Sequence, residues 1–138
     1  MYRQNRIDLA LYRMEKAERC LKEARDNVNL LNYETAANRS YYALFNAMRS
    51  LLNLDGKDFK RHSGVISEFR RDFIKTGILP AELSGMIRDA FNVRNASDYE
   101  NFYVISKEKV EEQVMNATIF VEAVKRCLME RIETPTDS

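Results

Sequence analysis

The stretch IDLALYRMEKAERCLKEARDNVNLL, residues 7–31, carries apolar side chains at Ile7, Ala10, Met14, Ala17, Leu21, Ala24, Val28 and Leu31, with spacings alternating between three and four. That rhythm follows the helical repeat of about 3.6 residues and predicts a long amphipathic helix with one face turned to a core. One column of the stripe holds the large residues and the other is mostly alanine, so a neighbouring helix can approach closely on the alanine side. Glu15 and Arg19, and Glu18 and Lys22, stand four apart with the acid first, which predicts ion pairs on the solvated face.

Working outward, Asn32 is a candidate N-cap, and Tyr33 to Leu54 repeats the pattern through Ala37, Tyr41, Leu44, Met48 and Leu51 before Asp55-Gly56 ends it. Gly56 and Gly77 read as stops for a second and a third helix, because glycine tolerates the left-handed backbone that closes a helix. Between them a basic loop, Lys57 to His62, leads into the shorter third helix, Val65 to Lys75. Its inner face is Val65, Ile66, Phe69 and Phe73, and Arg70, Arg71 and Lys75 lie outside. Pro80 suits the first turn of a fourth helix, whose stripe of Leu83, Ile87, Ala90 and Phe91 runs into Arg94, an arginine where an apolar residue is due. Ser97 to Ile105 reads as a polar and aromatic connection. Ser106 can cap a fifth helix with Val110, Val114, Ala117, Val121, Val124 and Leu128 inward, ending near residue 132. The expected architecture is all-α: an up-and-down four-helix bundle with an additional short helix across one end. A single helical domain is expected over 1–133, with a frayed tail over 134–138.

Composition agrees with this class. The 138 residues are 45% hydrophobic and 31% charged, with only four Gly and two Pro, so there is material for a core and little of the punctuation that β-sandwiches need. The net charge of +1 gives no ground for nucleic-acid binding from composition alone. It conceals an asymmetry, with 15 Lys or Arg against 10 Asp or Glu up to Lys75 and 7 against 11 beyond it, which permits one basic face. No apolar run is long enough to cross a bilayer, and Met1 to Arg6 is polar with no signal-peptide core behind it, so a cytoplasmic location is expected. Cys20, Cys127 and the single histidine, His62, lack zinc-ligand spacing, so the thiols are expected buried and reduced, with no metal and no cofactor.

Glycine-rich phosphate loops, nucleophile elbows and metal-binding motifs are missing, which leaves polar residues on helical faces as the candidates. One group is Asn38-Arg39-Ser40-Tyr41-Tyr42, the other Arg94-Asn95-Ala96-Ser97-Asp98-Tyr99. Arg94 keeps its charge wherever it lies and needs an anion or carbonyls beside it. Periodicity leaves two readings open: an intrahelical pair with Asp98, or a phosphate-binding groove to which Ser97, Asp98 and Tyr99 add polar contacts. Tyr41, Tyr42 and Phe45 are mostly core by spacing. Asn38 and Arg39 are not, and with Tyr42 they can hold a base or a phosphate by charge and stacking. His62 reads as a polar helix-start residue or, because it titrates near neutral pH, as a catalytic group.

The stretch ANRSYYALFNA at 37–47, then Arg61-His62-Ser63-Gly64-Val65-Ile66, then Arg94 through Asp98-Tyr99, resembles the HEPN family, small helical bundles of prokaryotes often encoded beside minimal nucleotidyltransferases. The resemblance covers residues from about 5 to 130. It implies a four-helix core, a homodimer and, in many members, metal-independent ribonuclease activity in toxin–antitoxin and defence systems. Catalytic members carry an arginine, four to six residues, then a histidine. Arg94 matches the arginine, but no histidine follows it, and Tyr99 stands five residues on, with a phenol of ordinary pKa about 10 that is a poor base. The resemblance therefore implies a protein that binds nucleotide or RNA around Arg94 and pairs with a minimal nucleotidyltransferase. Two alternatives stay open. One is a divergent ribonuclease in which Tyr99, Asp98 or His62 replaces the missing histidine across a dimer interface; the other is a purely structural helical interaction module. Some partner enzymes of this pairing transfer AMP to a tyrosine, whose place is held here by Asn101 between Tyr99 and Tyr103.

Overall fold

A computed structural model describes residues 2–99 and 104–134, apart from the side chains of 97–99. Its helices are α1 (Arg3–Asn29), α2 (Tyr33–Leu54), α3 (His62–Phe69), α4 (Glu82–Tyr99) and α5 (Lys107–Glu133), with a π-helical turn at Arg70–Ile74 following α3. No strand occurs among the described residues. α1, α2, α4 and α5 form the expected up-and-down bundle. Side chains fix its directions: Arg13 of α1 reaches Asn53 near the end of α2, and Arg3 donates to the carbonyls of Arg131 and Ile132 at the end of α5. α2 is the central element and touches each of the other helices.

The predicted stripe of α1 is buried at Ala10, Met14, Ala17, Leu21 and Ala24, and Cys20 joins it. Ile7 and Val28 are only half-buried, and Leu31 is exposed because the helix stops at Asn29 and Leu31 itself takes a left-handed φ of 64°. Asn32 occupies the N-cap position of α2 without a side-chain cap bond; it bonds instead to Asn27. Gly56, at φ 78°, closes α2 as expected. The third segment differs from its forecast in starting at His62 and widening into the π turn, after which Gly77, also at φ 78°, reverses the chain. Pro80 lies just ahead of α4, where its carbonyl accepts from Leu83 N–H. α4 runs on to Tyr99, so the first three residues of the expected connection are helical. Ser106 caps α5 as predicted, accepting from Lys109 N–H at 3.0 Å. The surface pairs are rearranged: Lys22 binds Asp26, and Glu18 reaches across to Lys125 of α5. Both cysteines are buried and unbridged.

The core runs from Met14 and Leu21 through Tyr41, Met48 and Leu51 to Phe69, Phe73, Phe120 and Leu128. Phe69 and Phe120 lie fully buried with ring centroids 5.7 Å apart, which fastens α3 onto α5. Truncating such a ring removes apolar contact and leaves a cavity that close-packed neighbours fill only in part. Phe120→Ala is expected to lower the unfolding free energy in urea by about 3–5 kcal/mol, with the m-value retained; a loss under about 1 kcal/mol would mean that α3 is not held by this contact.

Candidate functional site

Tyr41 falls on the inward face of α2, where the ring suits the core and the phenol does not. A buried hydroxyl left unbonded is costly, so it needs a partner inside the fold. The partner is His62, whose Nδ1 lies 3.0 Å from the Tyr41 hydroxyl. The extended backbone of Arg61 turns the chain into α3 at this point and sets the imidazole against Phe45, ring centroids 4.1 Å apart, with Tyr41 and Tyr42 on its other sides at 5.8 and 5.7 Å.

Arg94 arrives from α4. Its guanidinium carbon lies 4.9 Å from the Tyr41 ring centroid and 5.5 Å from that of Tyr42, within the range in which a ring face attracts a cation. Arg39 stands 5.2 Å from the Tyr42 ring and is held by Asn38, which accepts from its Nε and Nη2. The two groups singled out in the sequence therefore meet around Tyr41 and Tyr42. Asn38, Arg39, Tyr42, His62 and Arg94 are all half-buried, on the first half of α2, at the start of α3 and on α4. The side chains of Ser97, Asp98 and Tyr99 lie outside the described residues, as do Asn101 and Tyr103, and with them the suggested Arg94–Asp98 pair and the tyrosine-modification position.

His62, read from the sequence as a helix-start residue or a catalytic group, stands here as the hydrogen-bond partner of Tyr41. Burial lowers its pKa, and the charges of Arg94 and Arg49 lower it further, so the ring is neutral at neutral pH. Its other nitrogen, Nε2, bonds to nothing among the described residues. With Nδ1–H donating to Tyr41, Nε2 is a base; with the phenol donating to Nδ1, Nε2–H is a donor. Burial raises the Tyr41 phenol, opposed by Arg94, so this hydroxyl stays protonated.

Two clefts open beside this group. One, of about 390 Å³, lies between α2 and the loop before α3 and is lined by Phe45, Arg49, Asp58, Phe59, Lys60 and His62. Asp58 accepts there from Arg49 at 3.0 and 2.6 Å, which lowers its pKa against the opposing effect of burial. The larger, of about 710 Å³, separates α3 from α4, with Ser63 at one end and Phe91 on one wall. Phe91 was assigned to the core by spacing; it is 38% exposed, with Val93 buried on α4 instead. Tyr41, Phe45, Arg49 and Phe91 are the residues of this region that no spacing in the sequence joins to His62. The one available signal was a phenol on an inward stripe, which must be bonded.

Among the described residues no helix is long and apolar enough to cross a membrane, and no three His, Cys, Asp or Glu side chains converge as metal ligands. The chain is 35% identical over 118 residues to the Methanocaldococcus jannaschii protein named "Putative toxin MJ0142", covering 86% of this chain and 80% of that one. It is 32% identical over 117 residues to a "UPF0332 protein" of Thermotoga maritima, at 85% and 89% coverage, and 30% identical over 116 residues to another of Archaeoglobus fulgidus, at 84% and 92%. The HEPN domain model matches residues 10–127, a span that holds all five helices in whole or in part together with Tyr41, His62 and Arg94. This chain belongs to the HEPN domain family.

Proposed function

We propose that this chain is a toxin-like HEPN protein that binds a phosphate of RNA or of a nucleotide between Arg94 and His62, with Arg39 and Tyr42 beside it. One observation carries the reading: a single buried phenol, Tyr41, holds a neutral imidazole by hydrogen bond while a guanidinium lies against the same ring. A core needs neither of those polar groups, and together they supply what a phosphodiester requires, a fixed positive charge and a proton donor or acceptor. The name of the M. jannaschii relative is in keeping with a toxin role. Pairing with a minimal nucleotidyltransferase and assembly as a homodimer belong to the same proposal and rest on family membership.

The His62 geometry also favours the ribonuclease reading over a purely structural module. In metal-independent RNA cleavage the 2′-hydroxyl loses a proton as its oxygen attacks the adjacent phosphorus, and the 5′-oxygen leaves and takes up a proton. A neutral imidazole can accept the first proton, and a guanidinium stabilises the charge that builds on the phosphoryl oxygens. His62 thus takes the part of the histidine absent after Arg94, from an element earlier in the chain.

Labelled RNA and ATP titrated into the wild type, Arg94→Ala and His62→Gln test the site. Arg94→Ala is expected to weaken binding about 10- to 100-fold, the worth of charge-assisted hydrogen bonds; equal or undetectable binding by wild type and variant would sink the proposal. If the site cleaves, RNA incubated with chelator is cut by the wild type and left intact by both variants. A further expectation concerns pH. The folded pKa of His62 lies below its unfolded value of about 6.5, so between the two the unfolded chain binds more protons. The stability contributed at neutral pH is therefore lost as pH falls through that window. The melting temperature of the wild type should drop on acidification from about pH 7 to pH 5, by more than that of His62→Gln; parallel curves would show that the ring is not held neutral.

A further inference from the structure

The cleft between α3 and α4 is lined by Arg70, Arg71, Lys75 and Arg88 and by no carboxylate. Two features of the chain produce this imbalance. The acids on the same stretch are drawn to its other side: Lys57 donates to Glu68 at 2.7 Å and to Asp72 at 2.9 Å, and Arg71 shares both. Arg70, Lys75 and Arg88 then have no carboxylate within ion-pair distance among the described residues. The π turn supplies the second feature. In an ordinary helix residues five apart sit about 140° apart around the axis; here Lys75 N–H bonds to the Arg70 carbonyl at 2.9 Å, and the wider turn brings the two side chains toward one side. Arg70 is fixed there by Ser84, whose hydroxyl and carbonyl accept from its guanidinium at 3.0 and 3.2 Å.

Like charges collected along a cleft repel one another and lower stability, a cost a surface ordinarily relieves with interspersed acids. The floor is apolar, with Ile66 and Ile87, and the half-open ring of Phe91 forms the wall that leads toward Tyr41, centroids 6.4 Å apart. A row of cations along a groove with an exposed aromatic ring on its wall is the arrangement that holds single-stranded nucleic acid: phosphates follow the charges and a base stacks on the ring. A base-paired strand has its bases already stacked and has no use for Phe91.

We propose that the α3–α4 cleft binds a single-stranded nucleic acid, with successive phosphates on Arg88, Arg70 and Lys75 and one base stacked on Phe91. The strand then continues from Phe91 toward Arg94 and His62, so the cleft is the approach to the phosphate site described above. The reading of that site enters only in this last step, and the two are separable by experiment.

The test uses the full chain and fluorescence anisotropy. The probes are a single-stranded RNA of roughly 12 nucleotides, the DNA of the same sequence, its duplex, and ATP. Lys75→Ala/Arg88→Ala removes two exposed charges that bond to nothing else described, and Phe91→Leu keeps an apolar wall without a ring; melting curves and circular dichroism check that both variants fold. The double variant is expected to bind single strands at least tenfold more weakly and to lose about 1.4 from the slope of log K against log salt, for two phosphates at about 0.7 each. Phe91→Leu should weaken single strands and spare the duplex. ATP binding at Arg94 should be unchanged in both variants. RNA binding that Arg94→Ala weakens and the double variant leaves intact overturns the cleft alone. RNA binding that the double variant weakens and Arg94→Ala leaves intact supports the cleft and removes the Arg94 site. A wild type that binds no single strand overturns both, and tighter binding of duplex than of single strand overturns the stacking role of Phe91 and with it this proposal. Equal affinity for RNA and DNA supports the cleft as a reader of phosphate and base alone; a preference for RNA supports it with a 2′-hydroxyl contact added.

Discussion

A phenol buried in a helical core must be hydrogen-bonded, and the bond between Tyr41 and His62 is the constraint on which the polar end of this bundle depends. It ties the first residue of α3 to the middle of α2. The same ring gives the Arg94 guanidinium a surface to lie on, so a charge that an apolar stripe should not contain is accommodated. Phe45 and Tyr42 complete the enclosure of the imidazole and keep it neutral. Three helices thus meet around one side chain, with the His62 imidazole and the Arg94 guanidinium both against the Tyr41 ring.

Charge placement works on a larger scale by the same logic. A net charge of +1 describes the whole chain and hides how its parts are arranged. Lys57, from the loop before α3, takes up Glu68 and Asp72 on one side of the third segment. Arg49 and Arg131 are similarly occupied by Asp58 and Asp55. Across the bundle, Asp89 of α4 is bound by Lys109 and the buried Gln113 of α5. Arg70, Lys75 and Arg88, which pair with no carboxylate among the described residues, line the cleft between α3 and α4.

Family membership and site geometry bear on different questions. The HEPN match, over residues 10–127, accounts for the bundle. It assigns no role to His62, which lies 32 residues before Arg94 in the Arg61–Ile66 stretch that also carries the resemblance. Chemistry depends on where a nitrogen sits and not on the order in which the chain supplies it, so the part proposed for His62 needs no histidine after Arg94.

The sequence by itself determined the class of the fold and most of its elements. Alternating spacings of three and four marked the inner faces of α1, α2 and α5, Ser106 announced its cap, and Gly56 its stop, because each depends on interactions within a turn or two of chain. It also named Asn38, Arg39, Tyr42, His62 and Arg94 one by one, as polar or charged residues a core does not need. Tertiary structure alone decided that they meet. Periodicity gives the face of a helix but not its rotation against a neighbour, so Phe91 was read as core where Val93 is, and Glu18 as a partner of Lys22 where Lys125 holds it. The π turn left no sign in the spacing of Phe69 and Phe73, which suits either helix, and the union of residues 41, 62 and 94 rests on packing between segments far apart in the chain.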